Sequence, residues 1–265
     1  MRVLRSVLPS LTVLLAVSHF LLPSVLADES AAEKKAERNR KKYFHEPGGT
    51  DDLGHYDARY FKGLVAYDEH RRTLRHLIRS YLSTFDNLGI ETWLAHGTLL
   101  GWWWNGRIMP WDYDLDVQVS TATLYWLGKN MNRTEHGYTY EEDVTVTDQG
   151  RQMSEVVMRN RTYLLDINPH HVELTRGDGM NIIDARWIDT SNGMFIDITG
   201  LAERDPDNRP GEWSCKNYHL YKTTDLWPMR VSEFEGVTAT VPYSFEKILI
   251  EEYGSKSLVT TEWLG

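Results

Sequence analysis

Three aspartates alternate with other residues in the stretch PWDYDLDVQVS at 110–120. Asp112, Asp114 and Asp116 recur with the period of a β-strand, so we expect their carboxylates on one strand face, about 7 Å apart. At an effective dielectric constant near 20, each neighbouring pair repels by roughly 2 kcal/mol, more than the roughly 1 kcal/mol span of strand propensities offsets. The pattern therefore predicts a hard divalent cation, Mg²⁺ or Mn²⁺, which prefers oxygen ligands and binds substrate phosphates.

A glycine turn precedes the acidic stretch. An apolar-rich run at 90–95 is followed by His96, Gly97 and Thr98 and then by LLGWW at 99–103, which indicates a strand, a turn and a helix. A helix that begins at Gly97 and Thr98 would direct free backbone N–H groups and the positive end of its dipole toward the carboxylates. We expect a substrate phosphate to bind there.

A third piece of the site is predicted from a hairpin. Residues 185–189 and 194–199 read as strands joined by a turn whose Asn192-Gly193 pair supplies a positive φ. Asp197 stands alone in the otherwise apolar sequence MFIDI, where a charge is costly unless it is paired or bound by a metal. We assign it as the third metal-binding carboxylate. Two acids at the ends of the first strand are alternatives: Asp184 and Asp189.

These motifs carry a resemblance to a known family. GTLLG at 97–101 and PWDYDLD at 110–116 resemble the LicD family within the nucleotidyltransferase fold. The fuller string at 93–120, with HYDARYF at 55–61, is similar to fungal LicD-type proteins of mannosylphosphate transfer to cell-wall mannans. The resemblance runs from about Tyr43 to the C-terminus and implies an α+β fold, a nucleotidyltransferase-like mixed sheet flanked by helices.

The resemblance also implies an activity. It is the metal-dependent transfer of a sugar phosphate, with GDP-mannose as donor, a mannan or other glycan as acceptor and GMP as by-product. The catalytic residues would be Asp112, Asp114, Asp116 and Asp197, with Mg²⁺ or Mn²⁺ on Asp114, Asp116 and Asp197. The substrate-binding residues would be His96, Gly97, Thr98, Arg107 and Trp111. Asp112 would either complete the metal shell or act as the base.

One departure from the family pattern concerns donor recognition. Bacterial relatives carry a basic run between GTLLG and PWD, whereas this chain has Trp104, Asn105 and Gly106 there, with Arg107 as the only cation. The three tryptophans at 102–104 could stack on a sugar or a guanine, but consecutive tryptophans at a helix start more often form core and wall. A non-catalytic accessory protein of mannosylphosphorylation and a glycan-binding module are the alternative functions.

The N-terminus differs from the rest of the chain. Arg2 and Arg5 precede an uncharged run at 7–26, which is typical of a signal peptide or a signal anchor at 1–27. Residues 28–42 read as a charged stem and 43–265 as the domain. The sequons at Asn132 and Asn160 suit a lumenal protein, so we expect the secretory pathway, with the Golgi lumen favoured, as a type II membrane or secreted protein.

Charge and cysteine content limit the possible partners and the possible cross-links of the chain. Without residues 1–27 the chain has 27 basic and 38 acidic residues, a formal charge of −11, which excludes nucleic acid as a natural partner. Cys215 is the single cysteine, so there is no internal disulfide and no multi-cysteine zinc site, and we expect it to be a buried small hydrophobe.

The remaining elements are predicted from periodicity and turn signals. Leucines and tyrosines at three- and four-residue spacings predict a long amphipathic helix at 66–86 that covers the sheet. A capped helix is expected at 120–130, an irregular insertion at 131–160, and a strand at 163–167 that leads to a surface loop. The C-terminal region should contain a strand pair followed by a helix at 243–253.

Overall fold

A computed structural model describes residues 33, 34, 37, 40–148, 151–174 and 180–260 of the chain. The chain divides into two units, residues 1–42 and Tyr43–Gly265. In the first unit, Arg40 donates a hydrogen bond of 2.7 Å to Glu37. The leader predicted at 1–27 lies outside the described residues, as does much of the stem. Among the described residues, no helix combines the length and the apolar character that crossing a bilayer requires.

The domain is built on a mixed eight-stranded sheet. Its strands are β1 Trp93–Leu94, β2 Asp116–Ser120, β3 Thr134–Asp148, β4 Arg151–Ile167, β5 Ala185–Asp189, β6 Phe195–Glu203, β7 Glu212–Ser214 and β8 Leu220–Lys222. The order is β1-β2-β6-β5-β4-β3, with β7 paired to β6 and β8 paired to β7. Strands β2 and β6 are parallel, and the other pairings are antiparallel. A separate two-stranded sheet joins β9 Arg230–Phe234 to β10 Val237–Val241.

In the described part of the domain, five α-helices accompany the sheets. They are α1 Tyr67–Asn87, α2 His96–Asn105, α3 Thr121–Asn130, α4 Thr223–Leu226 and α5 Phe245–Tyr253. Short 3₁₀ helices cover Asp52–His55, Pro169–Val172 and Ser255–Leu258. The architecture is α+β and nucleotidyltransferase-like. The predicted C-terminal strand pair and the helix after it are confirmed as β9, β10 and α5.

The long helix α1 covers the sheet as its apolar spacing predicted. Its buried side is a stripe that includes Tyr81 and Phe85, which meet the buried Trp187 of β5 edge to face at 5.8 and 6.2 Å. Ser80 on the same side accepts a 3.0 Å hydrogen bond from the Trp187 indole. Edge-to-face aromatic contacts add roughly 0.5–1.5 kcal/mol each to the burial of apolar area. Helix α1 is therefore held by packing rather than by its end caps.

The helices α1 and α3 pack on one face of the sheet and leave the acidic residues on the other. Trp187 of β5 pairs in register with Ile196 of β6, so both point to the same face. Gly200 points there too, because a Cβ on it would lie 2.9 Å from Leu124 of α3. Since side chains alternate along a strand, Asp197 projects from the opposite face.

The region 131–160 corrects one prediction. It is not an irregular insertion but most of a long hairpin, in which β3 of 15 residues pairs with β4 of 17 residues. The register is unbroken from Thr134 opposite Leu165 to Asp148 opposite Arg151. The prediction failed because the half-buried side of β3 is mostly polar or aromatic and several apolar residues of β4 are exposed, which leaves little hydrophobic period to detect.

The hairpin between β5 and β6 is confirmed. Gly193 has φ of +92°, in the left-handed region that the predicted turn requires. A Cβ on this glycine would also lie 2.9 Å from the carbonyl oxygen of Asp57, so the turn is packed against the segment before α1. The hairpin places Asp197 in β6, which lies between β5 and β2 in the sheet.

Candidate functional site

Strand pairing brings together acids from the two predicted pieces of the site. Asp116 begins β2 and stands opposite Asp197 in the parallel register with β6. The backbone N–H of Asp197 donates a 3.0 Å hydrogen bond to the carbonyl of Leu115. Residues opposite each other on neighbouring strands project on the same face, so the two carboxylates are neighbours. The sheet itself fixes this pair.

The other two aspartates are not on the strand, which corrects the prediction of three carboxylates on one strand face. Strand β2 starts at Asp116, whereas Asp112 and Asp114 lie in the non-helical, non-strand segment before it. Asp112 closes a turn, since its N–H bonds the carbonyl of Met109 at 3.1 Å. Among the described residues, the backbone pairing of β2 begins at Val117 with β1 and at Asp116 with β6, so residues 112–115 lie before the paired part of the strand.

Asp112 is held against the first turn of α2. Burial, followed by the charges of Asp114 and Asp116, raises its pKa to about 8. Its Oδ2 is buried and has no hydrogen-bond partner in the part of the chain that the structure describes. A Cβ placed on Gly97 would lie 3.4 Å from that oxygen. The glycine therefore allows the helix backbone to approach this oxygen closely.

Asp116 is the most crowded of the acids. Burial raises its pKa to about 7; His96 opposes the shift, while Asp114, Asp197 and Glu252 add to it. Its backbone N–H donates a 2.9 Å hydrogen bond to the hydroxyl of Thr98. Thr98 thereby ties the first turn of α2 to the start of β2, and this tie positions the Asp116 carboxyl group.

Asp197 is anchored by an arginine. Arg186, its register partner on β5, donates from Nε to Asp197 Oδ1 at 2.8 Å and from Nη2 to Glu46 at 2.7 Å. The guanidinium also lies 3.6 Å from the centroid of the Phe195 ring. Burial raises the pKa of Asp197 although Arg186 opposes the shift. Arg186 occupies one carboxylate oxygen, so Oδ2 of Asp197 is the atom left to meet a ligand.

The acids have the donor chemistry of a hard-cation site. Asp114 is exposed, and its charge raises the pKa of Asp112, Asp116 and Asp197 alike, so it lies between them and solvent. Carboxylate oxygens in such number are the ligands that Mg²⁺ and Mn²⁺ prefer. In the described residues, the three acids at 114, 116 and 197 are wider apart than the 4.8 Å within which metal-ligand atoms group elsewhere.

A second group lies at the same helix start. His96, whose φ is +51°, contacts Glu252 of α5 through Nδ1 at 3.0 Å and lies 4.4 Å from the ring of His219. Ligand atoms of these three residues lie within 4.8 Å of one another. A cavity of about 550 Å³ connects this group to Asp116.

The three consecutive tryptophans at 102–104 pack against neighbouring segments of the chain. The indole N–H groups of Trp102, Trp103 and Trp104 donate to Ser232, Leu258 and Ser257 at 2.8, 3.0 and 2.7 Å, respectively. Each indole N–H group is hydrogen-bonded to a neighbouring segment of the chain. These contacts support a structural packing role for the three tryptophans rather than stacking on a ligand.

The two remaining predicted binding residues stand apart from this geometry. Trp111 meets Trp104 edge to face at 5.7 Å and is half-buried. The Arg107 side chain is exposed and shows no contact among the described residues, and its backbone N–H bonds Asn105 at 3.0 Å. Neither contact brings the residue into the acidic group.

Several residues of the site were missed from the sequence. Arg186 could have been found, because the turn at Asn192-Gly193 fixes the hairpin register and that register places Arg186 opposite Asp197. His219 and Glu252 gave no local signal, since they reach the site from a loop and from the last turn of a helix. The predicted alternatives to Asp197 are structural: Asp184 pairs with Lys216 at 2.8 Å and Asp189 with Arg161 at 2.6 Å.

A mixed sheet that presents carboxylates from neighbouring parallel strands beside the glycine-containing start of a helix is the arrangement of a nucleotidyltransferase domain. Residues 89–244 match the family described as LicD/FKTN/FKRP, nucleotidyltransferase domain. This match includes the acids at 112–116 and 197 and covers more than half of the chain. The chain belongs to this family.

Two curated proteins of Saccharomyces cerevisiae are similar to the chain. Mannosyltransferase regulator 4 is 32% identical over 215 residues, 77% of this chain and 16% of that protein. Mannosyltransferase regulator 14 is 32% identical over 171 residues, 62% of this chain and 17% of that protein. The chain spans about a sixth of the length of each relative, so the similarity concerns one segment of much longer proteins.

Proposed function

We propose that the chain is a metal-dependent transferase that moves a sugar phosphate from a nucleotide sugar to a mannan or glycoprotein glycan. The observation that carries the proposal is the register of Asp116 against Asp197, with the half-buried Asp112 nearby, whose Oδ2 has no hydrogen-bond partner among the described residues. Membership of the LicD family supports the transferase class. The names of the two yeast relatives support a role in mannose transfer, and GDP-mannose is the proposed donor.

Asp114, Asp116 and Asp197 would hold the cation, Mg²⁺ or Mn²⁺. Bound there, it would neutralise donor phosphate charge and stabilise the charge that develops in phosphoryl transfer. Arg186 opposes the rise in the pKa of Asp197 and fixes the carboxyl group through Oδ1, which leaves Oδ2 for the cation. Thr98 holds the Asp116 backbone in place. These contacts preorganise the carboxylates before a donor arrives.

The start of α2 is the proposed contact for donor phosphate. Free N–H groups in the first turn of a helix, together with its dipole, favour a bound anion. Gly97 lets the donor and Asp112 approach this backbone closely. Arg107 and Trp111 remain proposed donor contacts that rest on the family resemblance.

Asp112 is the proposed base. A carboxyl group with a pKa of about 8 sits close to the pH at which a general base works best. It would accept the proton of the acceptor hydroxyl as the hydroxyl oxygen forms its bond to the mannose-bearing phosphorus of GDP-mannose. The bond between the two phosphates breaks, and GMP leaves with the electron pair.

A regulatory role is the second candidate function. It is favoured by the names of both relatives, which describe regulators of a mannosyltransferase rather than transferases. In that case the chain would bind a donor or a glycan for a separate enzyme. The N-terminal sequence supports action in the lumen of the secretory pathway, with the Golgi favoured, under either function.

The test is a transfer assay with the full chain. Purified protein is incubated with GDP-mannose, Mn²⁺ and an oligomannose acceptor, and GMP release is measured together with phosphorylated glycan. We expect both products from the wild type, and loss of both in Asp114→Asn. Asp114 is exposed, so its amide variant should keep the fold, and circular dichroism checks this. Asp225→Asn, in an ion pair with Lys247, is the matched control and should retain transfer.

The outcomes separate the two functions. Absence of product from the wild type across GDP-mannose, UDP-sugars and CDP-linked donors contradicts a transferase. Under the regulatory function, the wild type would instead raise the activity of an added mannosylphosphate transferase, and Asp114→Asn would raise it equally well. Transfer that survives in Asp114→Asn would show that the acidic group is not the reaction centre.

A further inference from the structure

Three metal-ligating side chains outside the acidic group converge at the start of α2. His96 opens that helix, His219 lies in the loop before β8, and Glu252 stands in the last turn of α5. They come from distant parts of the sequence and have ligand atoms within 4.8 Å of one another. Among the described residues, this is the group of three whose ligand atoms come this close.

The separations between the ligand atoms of His96, His219 and Glu252 are close to those around a single bound ion. In a tetrahedral zinc site with metal–ligand distances of about 2.0–2.2 Å, ligand atoms lie about 3.4 Å apart. The His96 Nδ1 to Glu252 Oε2 separation is 3.0 Å, slightly less than that value. Since all separations in the group are within 4.8 Å, the widest would shorten by at most about 1.4 Å, a movement within reach of side-chain torsions.

Two of the three ligands, His219 and Glu252, are each oriented by a partner of their own. The Sγ of buried Cys215 lies 3.3 Å from His219 Nδ1, which directs Nε2 of that ring to the group. The hydroxyl of Tyr221 donates to Glu252 Oε1 at 3.3 Å and leaves Oε2 facing His96. Outer partners of this kind fix the ring or carboxylate orientation at metal centres. The left-handed φ of His96, +51°, is a backbone conformation that few residues adopt without a structural or functional reason.

The group borders open space. His96, His219 and Glu252 line the cavity of about 550 Å³ together with Thr199, whose buried hydroxyl has no hydrogen-bond partner in the described part of the chain. Two imidazoles and one carboxylate are the ligands of zinc centres that keep a fourth position for water or substrate. That fourth position would face the cavity.

We propose that His96, His219 and Glu252 form a binding site for a borderline divalent cation of the Zn²⁺ type. The site goes beyond the proposed function, because its ligands lie outside the carboxylate group proposed for Mg²⁺ or Mn²⁺ and its cation belongs to another class. Imidazole nitrogen favours Zn²⁺ and Co²⁺, whereas the oxygen-only acidic group favours Mg²⁺ and Mn²⁺. The two groups can therefore be filled independently.

The test is Zn²⁺ binding to the full chain, produced without a polyhistidine tag and stripped with a chelator. Calorimetric titration is run with Mg²⁺ in excess, so that oxygen-only sites are already filled. We expect the wild type to bind a single Zn²⁺, and Co²⁺ in its place to give a visible spectrum of nitrogen and oxygen ligation. Glu252→Gln and His219→Ala should each weaken binding by about 100-fold or more, above the usual effect of losing an outer partner.

Two controls make the result specific. His170→Ala removes an exposed histidine that pairs with Glu173 at 2.7 Å, and it should bind Zn²⁺ as the wild type does. Asp114→Asn should do the same. Glu252→Gln is nearly isosteric, so it tests the site even if His219→Ala fails to fold.

Three results would overturn the site. They are no Zn²⁺ uptake by the wild type, unchanged uptake in Glu252→Gln, and loss of uptake in Asp114→Asn. The proposed transfer activity fails separately: Zn²⁺ binding without any transfer contradicts the transferase alone, and transfer without Zn²⁺ binding contradicts this site alone.

Discussion

The substitution Asp116→Asn should stabilise the cation-free protein at alkaline pH. The pKa of Asp116 is raised from its ordinary value of 3.8 to about 7, chiefly by burial. A group whose pKa is raised in the folded state contributes stability below its unfolded pKa, and this contribution is lost as the pH rises through the folded pKa. Asparagine carries no charge at any pH, so the stability of the variant does not fall through this ionisation as the pH rises.

The size of the effect follows from the two pKa values. A tenfold change in a proton equilibrium corresponds to about 1.4 kcal/mol, so full ionisation of Asp116 in the folded protein costs on the order of 4 kcal/mol. Neighbouring carboxyl groups titrate together with it, which lowers the expected gain at pH 8 to about 2–4 kcal/mol. At pH 4 the two proteins should have nearly equal free energies of unfolding.

The assay is urea unfolding of both proteins at pH 4, 6 and 8 with a chelator present, followed by pH 8 with Mn²⁺. A cation that binds the acidic group at a hundredfold excess over its Kd should stabilise the wild type by about 2.7 kcal/mol and the variant by less. Asp225→Asn is the control, because the pKa of Asp225 is shifted in the opposite direction and the substitution should change stability in the opposite direction. Burial opposes ionisation of Asp225, but Lys247 at 2.6 Å outweighs it and lowers the pKa. Its removal should therefore destabilise the protein at pH 8.

The reasoning is refuted by a difference between Asp116→Asn and wild type that does not change from pH 4 to pH 8. It is refuted equally if the variant is the less stable protein at pH 8 in chelator. Either result would mean that the Asp116 carboxylate is well accommodated as an anion without any cation.

Two further predictions concern the support of the site. Arg186→Met should lower the free energy of unfolding at pH 7 by about 3–5 kcal/mol in urea denaturation, because it leaves two partly buried carboxylates without their cation; a loss below 1 kcal/mol would contradict this. Gly101→Ala should destabilise by about 2 kcal/mol or more, since its Cβ would lie 2.7 Å from the carbonyl oxygen of Arg107. The control Gly137→Ala, with open space around it, should change stability by less than about 1 kcal/mol in the same assay.

The sequence predicted the elements whose signals are local. The apolar spacing of α1 and the turn at Asn192-Gly193 each determine their structure within a few residues, and α1 runs from Tyr67 to Asn87 against a prediction of 66–86. Ser120 caps α3 as expected, accepting from the N–H of Thr123 at 3.0 Å. Such caps and turns act through bonds to residues two or three positions away, so their effect can be predicted without the fold.

Two predictions of secondary structure failed because contacts between distant parts of the chain determine those elements. The alternation at 112–116 suggested a strand, but the backbone pairing of β2 with its two neighbours begins at Val117 for β1 and at Asp116 for β6. The hairpin of β3 and β4 was missed for the opposite reason: its backbone pairing is extensive while its side chains show little apolar alternation. His219 and Glu252 could not be placed by any pattern, because only the packing of α5 beside α2 brings them together.

The start of α2 is the element that connects the two groups of ligands. Successive residues of a helix point about 100° apart, so three consecutive residues can serve three different neighbours. His96 contacts Glu252, Gly97 gives space to Asp112, and Thr98 holds the backbone of Asp116. A change in the path of this one turn would therefore move the carboxylate group and the imidazole group together, although each has its own ligand chemistry. The close fit of a short helix against β2, rather than any single carboxylate, sets the geometry on which both proposals depend.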